Sequence, residues 1–467
     1  MSIVFNELKN FWKQLVLLIL TVFGTTIATM MLPSLMQNLI DNAIPAKDTA
    51  EVAATTATMI IFVAIDVACG IGTAKLAAHI SMGIGRNLRA KVFEKVQGFS
   101  QEEIDKFTTS SLITRTNSDI YQVQLFLSQC LSFAFMAPIM CIVGIILALN
   151  TSPSLSAILI IAIPLLAIIV VIIGKVAIPL SAQIQKKLDV INMVIREKLT
   201  GTRVIRAFGT TRFEEKRFDD INVEYTKMNK KLQGMTALLL PVIVLILSAT
   251  VAVVMFIAYQ DTIDGTVAHT AGEIMTMIQY VMIIMMAVII LTVVFLLLPR
   301  AATSANRAKE VLNSKNLIAD AAEPKTGDEM QGYLEFKNVS FTYAGADVPA
   351  VKNLSFKAAP GETTAIIGGT GMGKTTIVNL IPRLYDVSEG QVLVDGVDVR
   401  DYKLEDLRRK IGFVPQKAYL FKGTIDSNIA FGDENPTEGR IEEAVKIAQS
   451  YDFVTGKEKG FASPVSQ

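Results

Sequence analysis

Residues 363–380 read TTAIIGGTGMGKTTIVNL, and this stretch decides the fold of the C-terminal part of the chain. The apolar run 364–367 is typical of a buried strand, and the glycine-rich run 368–373 predicts a flexible loop. A helix is predicted to begin at Lys374, because apolar residues then recur at helical spacing. These residues are Ile377, Leu380, Ile381 and Leu384.

The segment from Gly368 to Thr375 carries the pattern Gly-x-x-x-x-Gly-Lys-Thr between a predicted strand and a predicted helix. This is the P-loop pattern, in which backbone N–H groups and the start of a helix surround phosphate groups. Lys374 is expected to neutralise the β- and γ-phosphates, and the Thr375 hydroxyl to bind Mg²⁺. The sequence therefore predicts a binding site for ATP with Mg²⁺.

The composition of the whole chain is that of a membrane protein. The 467 residues are 51% hydrophobic and 19% charged, with a mean hydropathy of +0.45. This excludes an ordinary soluble enzyme, a disordered chain and a secreted disulfide scaffold. The net charge of +1 gives no case for a nucleic-acid partner. Neither histidine, His79 or His269, has a cluster of ligand residues beside it in the sequence, and the cysteines lie in apolar runs.

Six apolar stretches are long enough to cross a bilayer core, which takes about 20 helical residues. They lie near 15–37, 55–79, 125–149, 155–180, 236–259 and 274–298. After the sixth, from Gly332, charged residues alternate with short strand-like runs, as in a soluble α/β domain. We therefore expect a membrane domain at 1–312, a linker at 313–331 that contains Pro324 and Gly327, and a nucleotide-binding domain at 332–467.

Basic residues predict the orientation. The segments 82–124 and 181–235 hold six and twelve lysines and arginines, whereas the loops 41–54, 150–154 and 260–273 hold only Lys47. The positive-inside rule places both termini and the two basic segments in the cytoplasm.

Both basic segments lack clusters of glycine and proline, so we expect the spans to continue as helices beyond the membrane. At the N-terminus, an interfacial amphipathic helix is predicted from apolar residues at helical spacing. These residues are Phe5, Leu8, Phe11 and Trp12.

Two features support the P-loop domain. Phe341 and Tyr343 alternate on a predicted strand, where they either pack or stack on a purine ring. Asp395-Gly396 between two apolar runs predicts a tight hairpin in an antiparallel subdomain.

With these motifs the chain resembles a half-transporter of the ATP-binding cassette (ABC) exporters, of multidrug or lipid type, over essentially its whole length. Residues 411–432, IGFVPQKAYLFKGTIDSNIAFG, are similar to the Q-loop and the exporter segment that follows it. Residues 98–119 and 201–217 are similar to the two coupling regions of these exporters.

The resemblance implies a full set of site residues. Gln416 would contact Mg²⁺ and the attacking water, and Tyr343 would stack on adenine, so that Thr375 and Gln416 form the metal site. A second half-transporter, identical or different, would supply the signature segment that completes each site. The ATP-binding set is Tyr343, Gly368, Gly369, Thr370, Gly371, Met372, Gly373, Lys374, Thr375, Thr376 and Gln416.

The chain departs from the family pattern in two ways. Met372 stands where the family has a small residue, a change that leaves the backbone N–H donors in place. The signature, the strand ending in Asp-Glu and the switch histidine do not follow the Q-loop before Gln467. We therefore expect a nucleotide-binding domain cut short, without a catalytic residue in this chain and without ATP hydrolysis by the chain alone. The strand beside the P-loop strand would also be missing, which would leave backbone groups unpaired and apolar surface exposed.

Two polar residues lie within predicted spans. Asp66, in the second span, is expected either to pair with a residue of another helix or to have a role in binding substrate or transferring a proton, because a charge in the bilayer is costly. Gly70 and Ala74 beside it predict a small face for close helix packing. Gln279 lies in the sixth span among five methionines, which either pack or form an adaptable apolar binding surface. They are Met275, Met277, Met282, Met285 and Met286.

Three functions are consistent with these features. The first is ATP-driven export of a hydrophobic or amphiphilic compound, a drug-like molecule or a lipid, across a bacterial plasma membrane by a dimer. The alternative is a non-hydrolytic nucleotide-binding regulatory or channel-like subunit. A membrane-anchored P-loop kinase fits less well, because it needs neither six spans nor the segment around Gln416.

Overall fold

A computed structural model of the chain describes residues 1–264, 267–326, 331–433 and 435–465. It separates into two compact units. The first comprises Met1–Phe99 and Glu103–Asn316, and the second Ser100–Glu102 and Leu317–Gln467. The predicted linker includes residues 327–330, which lie outside the described residues.

In the described residues of the first unit all regular secondary structure is helical, and one of its helices begins in the second unit, at Gln101. Its helices are α1 Ser2–Leu8, α2 Trp12–Asn38, α3 Thr49–Gln97, α4 Gln101–Phe107, α5 Thr109–Thr114, α6 Ile120–Gln129, α7 Met136–Thr151, α8 Pro153–Ser156, α9 Leu159–Thr200, α10 Thr202–Ala207, α11 Thr211–Ala237, α12 Leu239–Ile263 and α13 Ala271–Asn313. A short π-helical turn at Leu39–Ala43 continues α2. Two further π-helical turns, Arg115–Asp119 and Cys130–Ala134, lie directly before and directly after α6.

Within the described residues, six helical segments are long and apolar enough to cross a membrane, as the sequence predicts. Each of the six predicted stretches lies inside one of them. They run over Ser2–Ala43, Thr49–Gln97, Thr109–Thr151, Pro153–Thr200, Thr211–Ile263 and Ala271–Asn313.

These six helical segments, of 42 to 53 residues, are all longer than a bilayer crossing requires. Helix α3 has 49 residues, about 74 Å at 1.5 Å per residue, against a bilayer core of about 30 Å. The first basic segment breaks at Gly98, whose N–H bonds to Glu94 O at 3.3 Å as α3 ends. The second continues through α9, α10 and α11.

The membrane unit has two main apolar cores, and α13 contributes to both. One joins α1, α2, α3, α6 and the C-terminal part of α13 around Ile80, Ile84 and Ala305. The other joins α2, α7, α8, α9, α12 and the N-terminal part of α13 around Met277 and Tyr280. The sixth span is therefore the central element of the unit.

Close helix contacts do not lie where the sequence predicts them. A Cβ atom at Gly70 would meet nothing within 4 Å, and Ala74 is exposed. Helices α2 and α3 approach instead at Gly24 and Gly72, where a Cβ would lie 2.8 Å from Cys69 Sγ and 3.2 Å from Thr21 Cγ2 respectively. The prediction of a small face at Gly70 and Ala74 is therefore wrong, because helix rotation decides which small residues face a neighbour.

The N-terminal segment is helical as predicted, but a different face is buried. Phe5 and Trp12 are largely exposed, whereas Val4 and Glu7 are buried. The carboxylate of Glu7 accepts hydrogen bonds from Lys91 Nζ and from Asn87 Nδ2, the latter at 3.2 Å, both on α3. The segment is thus attached to the extension of α3.

The ends of α12 and α13 are joined by a buried histidine. The His269 side chain is 1% exposed, with Nε2 3.0 Å from Asp261 Oδ2 and Nδ1 3.2 Å from Glu273 Oε2. Ser154 Oγ, in α8, donates to Asp261 Oδ2 at 2.6 Å. The sequence gives no sign of this cluster, because its carboxylates lie eight residues before and four residues after the histidine.

The second unit is built on antiparallel strands. They are β1 Leu334–Phe341, β2 Val351–Ala358, β3 Glu389–Val394, β4 Val397–Asp398, β5 Gly423–Thr424 and β6 Pro464–Val465. The order in the main sheet is β2-β1-β3-β4, with Leu334 opposite Ala358 on one side and Val394 on the other. Strands β5 and β6 form a separate pair.

Five helices accompany these strands. They are α14 Lys374–Leu380, α15 Leu404–Arg409, α16 Ile425–Ile429, α17 Glu438–Ile447 and α18 Tyr451–Thr455. The core between sheet and helices contains Phe336, Val339, Leu380, Tyr402 and Leu407. The predicted fold class, a six-span helical membrane domain followed by an α/β P-loop domain, is therefore confirmed.

The hairpin predicted at Asp395-Gly396 is present between β3 and β4. Asp395 and Gly396 have φ values of 50° and 81°, as a two-residue turn of type I′ requires. The Asp395 carboxylate also accepts the Gly332 N–H at 2.7 Å, which ties the start of the unit to this turn.

Candidate functional site

The loop 368–373 leads into α14, and its glycines have the conformations that the P-loop pattern requires. Gly371 and Gly373 have φ values of 84° and 81°, which side chains with a Cβ rarely adopt. At Gly373 a Cβ would also lie 2.5 Å from the carbonyl oxygen of Ala350. Glycine is therefore needed at residue 373 for both backbone conformation and space.

Lys374 holds its ammonium group over this loop. Its Nζ donates to the carbonyl oxygens of Gly368 and Gly369 at 2.8 and 2.6 Å. Lys374 is also the first residue of α14, and the first backbone N–H groups of a helix have no partner within the helix. A concentration of N–H donors and positive charge of this kind fits a phosphate group.

Thr375 and Thr376 differ in their surroundings. The Thr375 side chain is exposed beside the loop, so its hydroxyl oxygen is free to bind a cation. Thr376 is buried, and its hydroxyl lies 2.9 Å from the Tyr343 hydroxyl. Loop residues 368–372 are exposed, Met372 being 71% exposed, and Ile377 and Leu380 anchor α14 in the core.

Tyr343 lies beside the P-loop, as the resemblance implies, but not on a strand. Strand β1 ends at Phe341, so the two aromatic residues do not alternate along one strand face as predicted. The Tyr343 ring packs edge-on against Phe341 and Tyr385, with centroids 4.8 and 5.4 Å away. Its hydrogen bond to Thr376 therefore joins the segment after β1 to the start of α14.

The strand predicted at 364–367 is not present. These residues belong to no strand, and Ile367 is 91% exposed. A central strand needs hydrogen-bonded neighbours on both sides, and no strand among the described residues pairs with this run. The expectation that apolar surface would be exposed here is met.

Gln416 is exposed, in the segment 411–422, and among the described residues no hydrogen bond joins it to Lys374 or Thr375. The hydrogen bonds that assemble Tyr343, the loop and the start of α14 do not include Gln416. The carbonyl oxygen of Ala350 also lies against the loop, beside Gly373. No sequence signal indicates this contact, because it depends on where β2 begins.

The polar residues of the spans are half-buried. Within the part of the chain that the structure describes, neither Asp66 nor Gln279 makes a side-chain hydrogen bond or ion pair, so the pairing considered for Asp66 has no partner here. The methionines of the sixth span divide into two groups. Met277 and Met285 are buried in the core, and the exposed group is Met275, Met282 and Met286.

Comparison with known proteins agrees with this architecture. Residues 15–288 match the family model described as the ABC transporter transmembrane region, which covers more than half of the chain. Residues 351–460 match the model described as ABC transporter, around the P-loop. The chain belongs to the ABC transporter family.

Relatives in this family are similar along most of their length. An uncharacterized ABC transporter ATP-binding protein of Mycobacterium tuberculosis is 34% identical over 96% of this chain and 78% of its own length. A second uncharacterized ABC transporter ATP-binding protein, YfiB of Bacillus subtilis, is 32% identical over 94% of this chain and 76% of its own. The ATP-dependent lipid A-core flippase of Escherichia coli is 30% identical over 83% of this chain and 66% of its own.

Membership in this family establishes the general activity. ABC transporters of this architecture couple ATP to transport through a multi-span membrane domain. The chain is therefore a multi-span membrane protein of the ABC exporter type, with a domain that binds ATP.

Proposed function

We propose that the chain is one half of a dimeric exporter that uses ATP to move hydrophobic or amphiphilic compounds, drug-like molecules or lipids, out of a bacterial cell. The proposal rests on one observation. A single chain contains six candidate membrane spans and a P-loop in which Lys374 donates a hydrogen bond to the loop carbonyl of Gly368. The relative named as a lipid A-core flippase supports an amphiphilic cargo.

We propose the domain limits 1–312 and 332–467, with both termini in the cytoplasm. The asymmetry of basic residues supports this orientation. A second half-transporter would complete the nucleotide site, and ATP would favour the closed dimer by its higher affinity for that state.

Within the site, the proposed phosphate ligands are the loop N–H groups and Lys374, and Tyr343 is the proposed base-stacking residue. Thr375 and Gln416 are oxygen donors of the kind that Mg²⁺ prefers, and Mg²⁺ would neutralise phosphate charge when bound. The exposed hydroxyl of Thr375 fits this role in the structure. Gln416 would supply its side-chain amide oxygen from the exposed segment 411–422.

The substitution Lys374→Ala tests the proposal. Loss of a charge-assisted contact with phosphate is expected to weaken ATP binding by about tenfold to hundredfold. The measurement is equilibrium binding of a fluorescent ATP analogue to the protein in nanodiscs, followed by ATP-dependent transport of lipid analogues in vesicles that contain a candidate partner subunit.

Met372→Ser is the matched control, because residue 372 is exposed in the same loop and offers only its backbone. It should bind ATP as the wild type does. Unchanged ATP affinity of Lys374→Ala would remove the assignment of this lysine. ATP binding without turnover in every pairing would instead identify a regulatory or channel-like subunit.

A further inference from the structure

A second site lies within the membrane unit, away from the P-loop. A cavity of about 700 Å³ opens between the C-terminal part of α3 and the helices α4 and α5. Its volume is within the range of about 300–1,000 Å³ that is usual for small-molecule sites. None of the residues that line it belongs to the predicted ATP-binding set.

The cavity has an apolar interior. On α3 it is lined by Ala90, Phe93 and Val96, and on α4 and α5 by Ile104 and Leu112. Phe93 is 58% exposed although it is a large apolar side chain. Aromatic and aliphatic surface of this kind gains free energy when a ligand removes it from water.

Positive charge lies at the rim of the cavity. Arg86 and Arg89 are the only charged residues among the described residues that line it, and no carboxylate does. Arg89 is held by Gln124, whose Oε1 accepts from its guanidinium at 3.3 Å. Arg86 is exposed and makes no hydrogen bond or ion pair with another described residue. Two arginines without a neutralising acid are complementary to an anion.

The position along α3 suits an amphiphile. Arg86 follows the predicted end of the second span, residue 79, by seven residues, which is about 10 Å along a helix. The polar layer of a bilayer is about 5–8 Å thick on each side. A molecule with its head group at Arg86 and Arg89 could therefore place an apolar chain in the cavity after leaving the membrane surface.

From this geometry we infer that the cavity binds a single-chain amphiphile with one anionic head group, such as a long-chain carboxylate. The two arginines bind the head group, and the apolar residues of α3, α4 and α5 enclose the chain. Because helices α4 and α5 lie in the segment 98–119, a bound amphiphile would join that segment to the second span.

The test uses the full chain in nanodiscs of zwitterionic phospholipid and a photoactivatable hexadecanoic acid, with adducts located by peptide mass spectrometry. We expect adducts within residues 86–117. Unlabelled hexadecanoic acid should compete at least tenfold better than hexadecanol, because the alcohol lacks the charge, and acetate should not compete.

Variants make the test specific. Ala90→Trp fills the cavity and should abolish these adducts, whereas Ala78→Trp, on an exposed part of the same helix, should leave them unchanged. Arg86→Gln should weaken the competition by unlabelled hexadecanoic acid by about tenfold. Arg196→Gln, an exposed arginine on α9 without a described contact, should have no effect.

Equal labelling of the Ala90→Trp and Ala78→Trp variants would overturn the proposal, as would equal competition by the acid and the alcohol. If labelling falls as the protein dimerises, the cavity is covered by a second copy of the chain, and this result would also overturn the proposal. If Ala90→Trp does not fold, Arg86→Gln decides, because that side chain supports nothing in the structure.

Discussion

Tyr343 shows how much a single residue can be predicted. The resemblance to ABC exporters predicts an aromatic ring at residue 343 near the nucleotide, and the structure places Tyr343 beside the P-loop. Its hydrogen bond to Thr376 could not be predicted, because it depends on how the segment after β1 folds over α14.

We expect the ring of Tyr343 and not its hydroxyl to matter for ATP affinity. Tyr343→Phe should bind a fluorescent ATP analogue within about twofold of the wild type, whereas Tyr343→Ala should lose about fivefold to hundredfold, the range found when a base loses an aromatic platform. Wild-type affinity in the alanine variant would show that the ring does not stack on the base.

Glu335, on the inner strand β1 of the main sheet, makes stability depend on pH. It is buried on β1, which opposes ionisation, but Lys357 Nζ at 3.1 Å and Lys337 Nζ at 3.4 Å outweigh this and hold the pKa of Glu335 below its ordinary value. A carboxyl group with a lowered pKa stabilises the fold above its unfolded pKa, which is about 4.3, and the stabilisation is lost as pH falls through the folded value.

The wild type should therefore be more stable than Glu335→Gln at pH 7, and the difference should shrink below about pH 4.3. Unfolding of the second unit, followed by denaturant titration between pH 3 and 7, measures it. Glu458→Gln, on an exposed loop, should show no such trend. A constant difference between wild type and Glu335→Gln at all pH values would contradict the assignment.

At the scale of elements, helix packing depends on glycines that the sequence does not single out. On α7, a Cβ at Gly144 would lie 2.8 Å from Ile284 Cγ1 of α13, and Ile284 is fully buried. The glycine at residue 70 on α3, which looks equally suited to packing, faces open space. The rotation of each helix decides which of these glycines faces a neighbouring helix, and the local sequence does not indicate it.

Gly144→Leu should therefore destabilise the membrane unit by about 1–3 kcal/mol through overpacking. Gly70→Leu should leave its stability unchanged or slightly raised, because it removes a glycine from a helix. Thermal denaturation of both variants in detergent, monitored by tryptophan fluorescence of Trp12, compares them directly. Equal midpoints would show that α7 and α13 do not approach at residue 144.

Helix α14 and the run 364–367 differ in how far the local sequence predicts their structure. The helix forms as predicted, because its hydrogen bonds are local and two apolar residues anchor it. The run before the loop does not form a strand, because a strand is completed only by its neighbours. Periodicity therefore predicts the helix reliably and the strand only conditionally.

For the whole molecule, the pattern of basic residues predicts orientation. Loops such as 260–273 should face the outside, and segments such as 181–235 the cytoplasm. In a variant whose three cysteines are replaced by alanine, Asp264→Cys should react with an impermeant maleimide on intact cells. Lys216→Cys should react only after the cells are permeabilised, and the reverse pattern would contradict the proposed topology.

Local sequence was enough to predict the six spans, the P-loop, the helix that follows it and the hairpin at Asp395-Gly396. Each of these depends on interactions within about 20 consecutive residues, namely hydropathy, helical periodicity or turn chemistry. Tertiary packing was needed to show that His269 joins α12 to α13 and that α13 lies in both membrane cores. It was also needed to show that helices approach closely at glycines such as Gly24, Gly72 and Gly144. These features bring together residues far apart in the chain, and the rotation and docking of whole helices determine them.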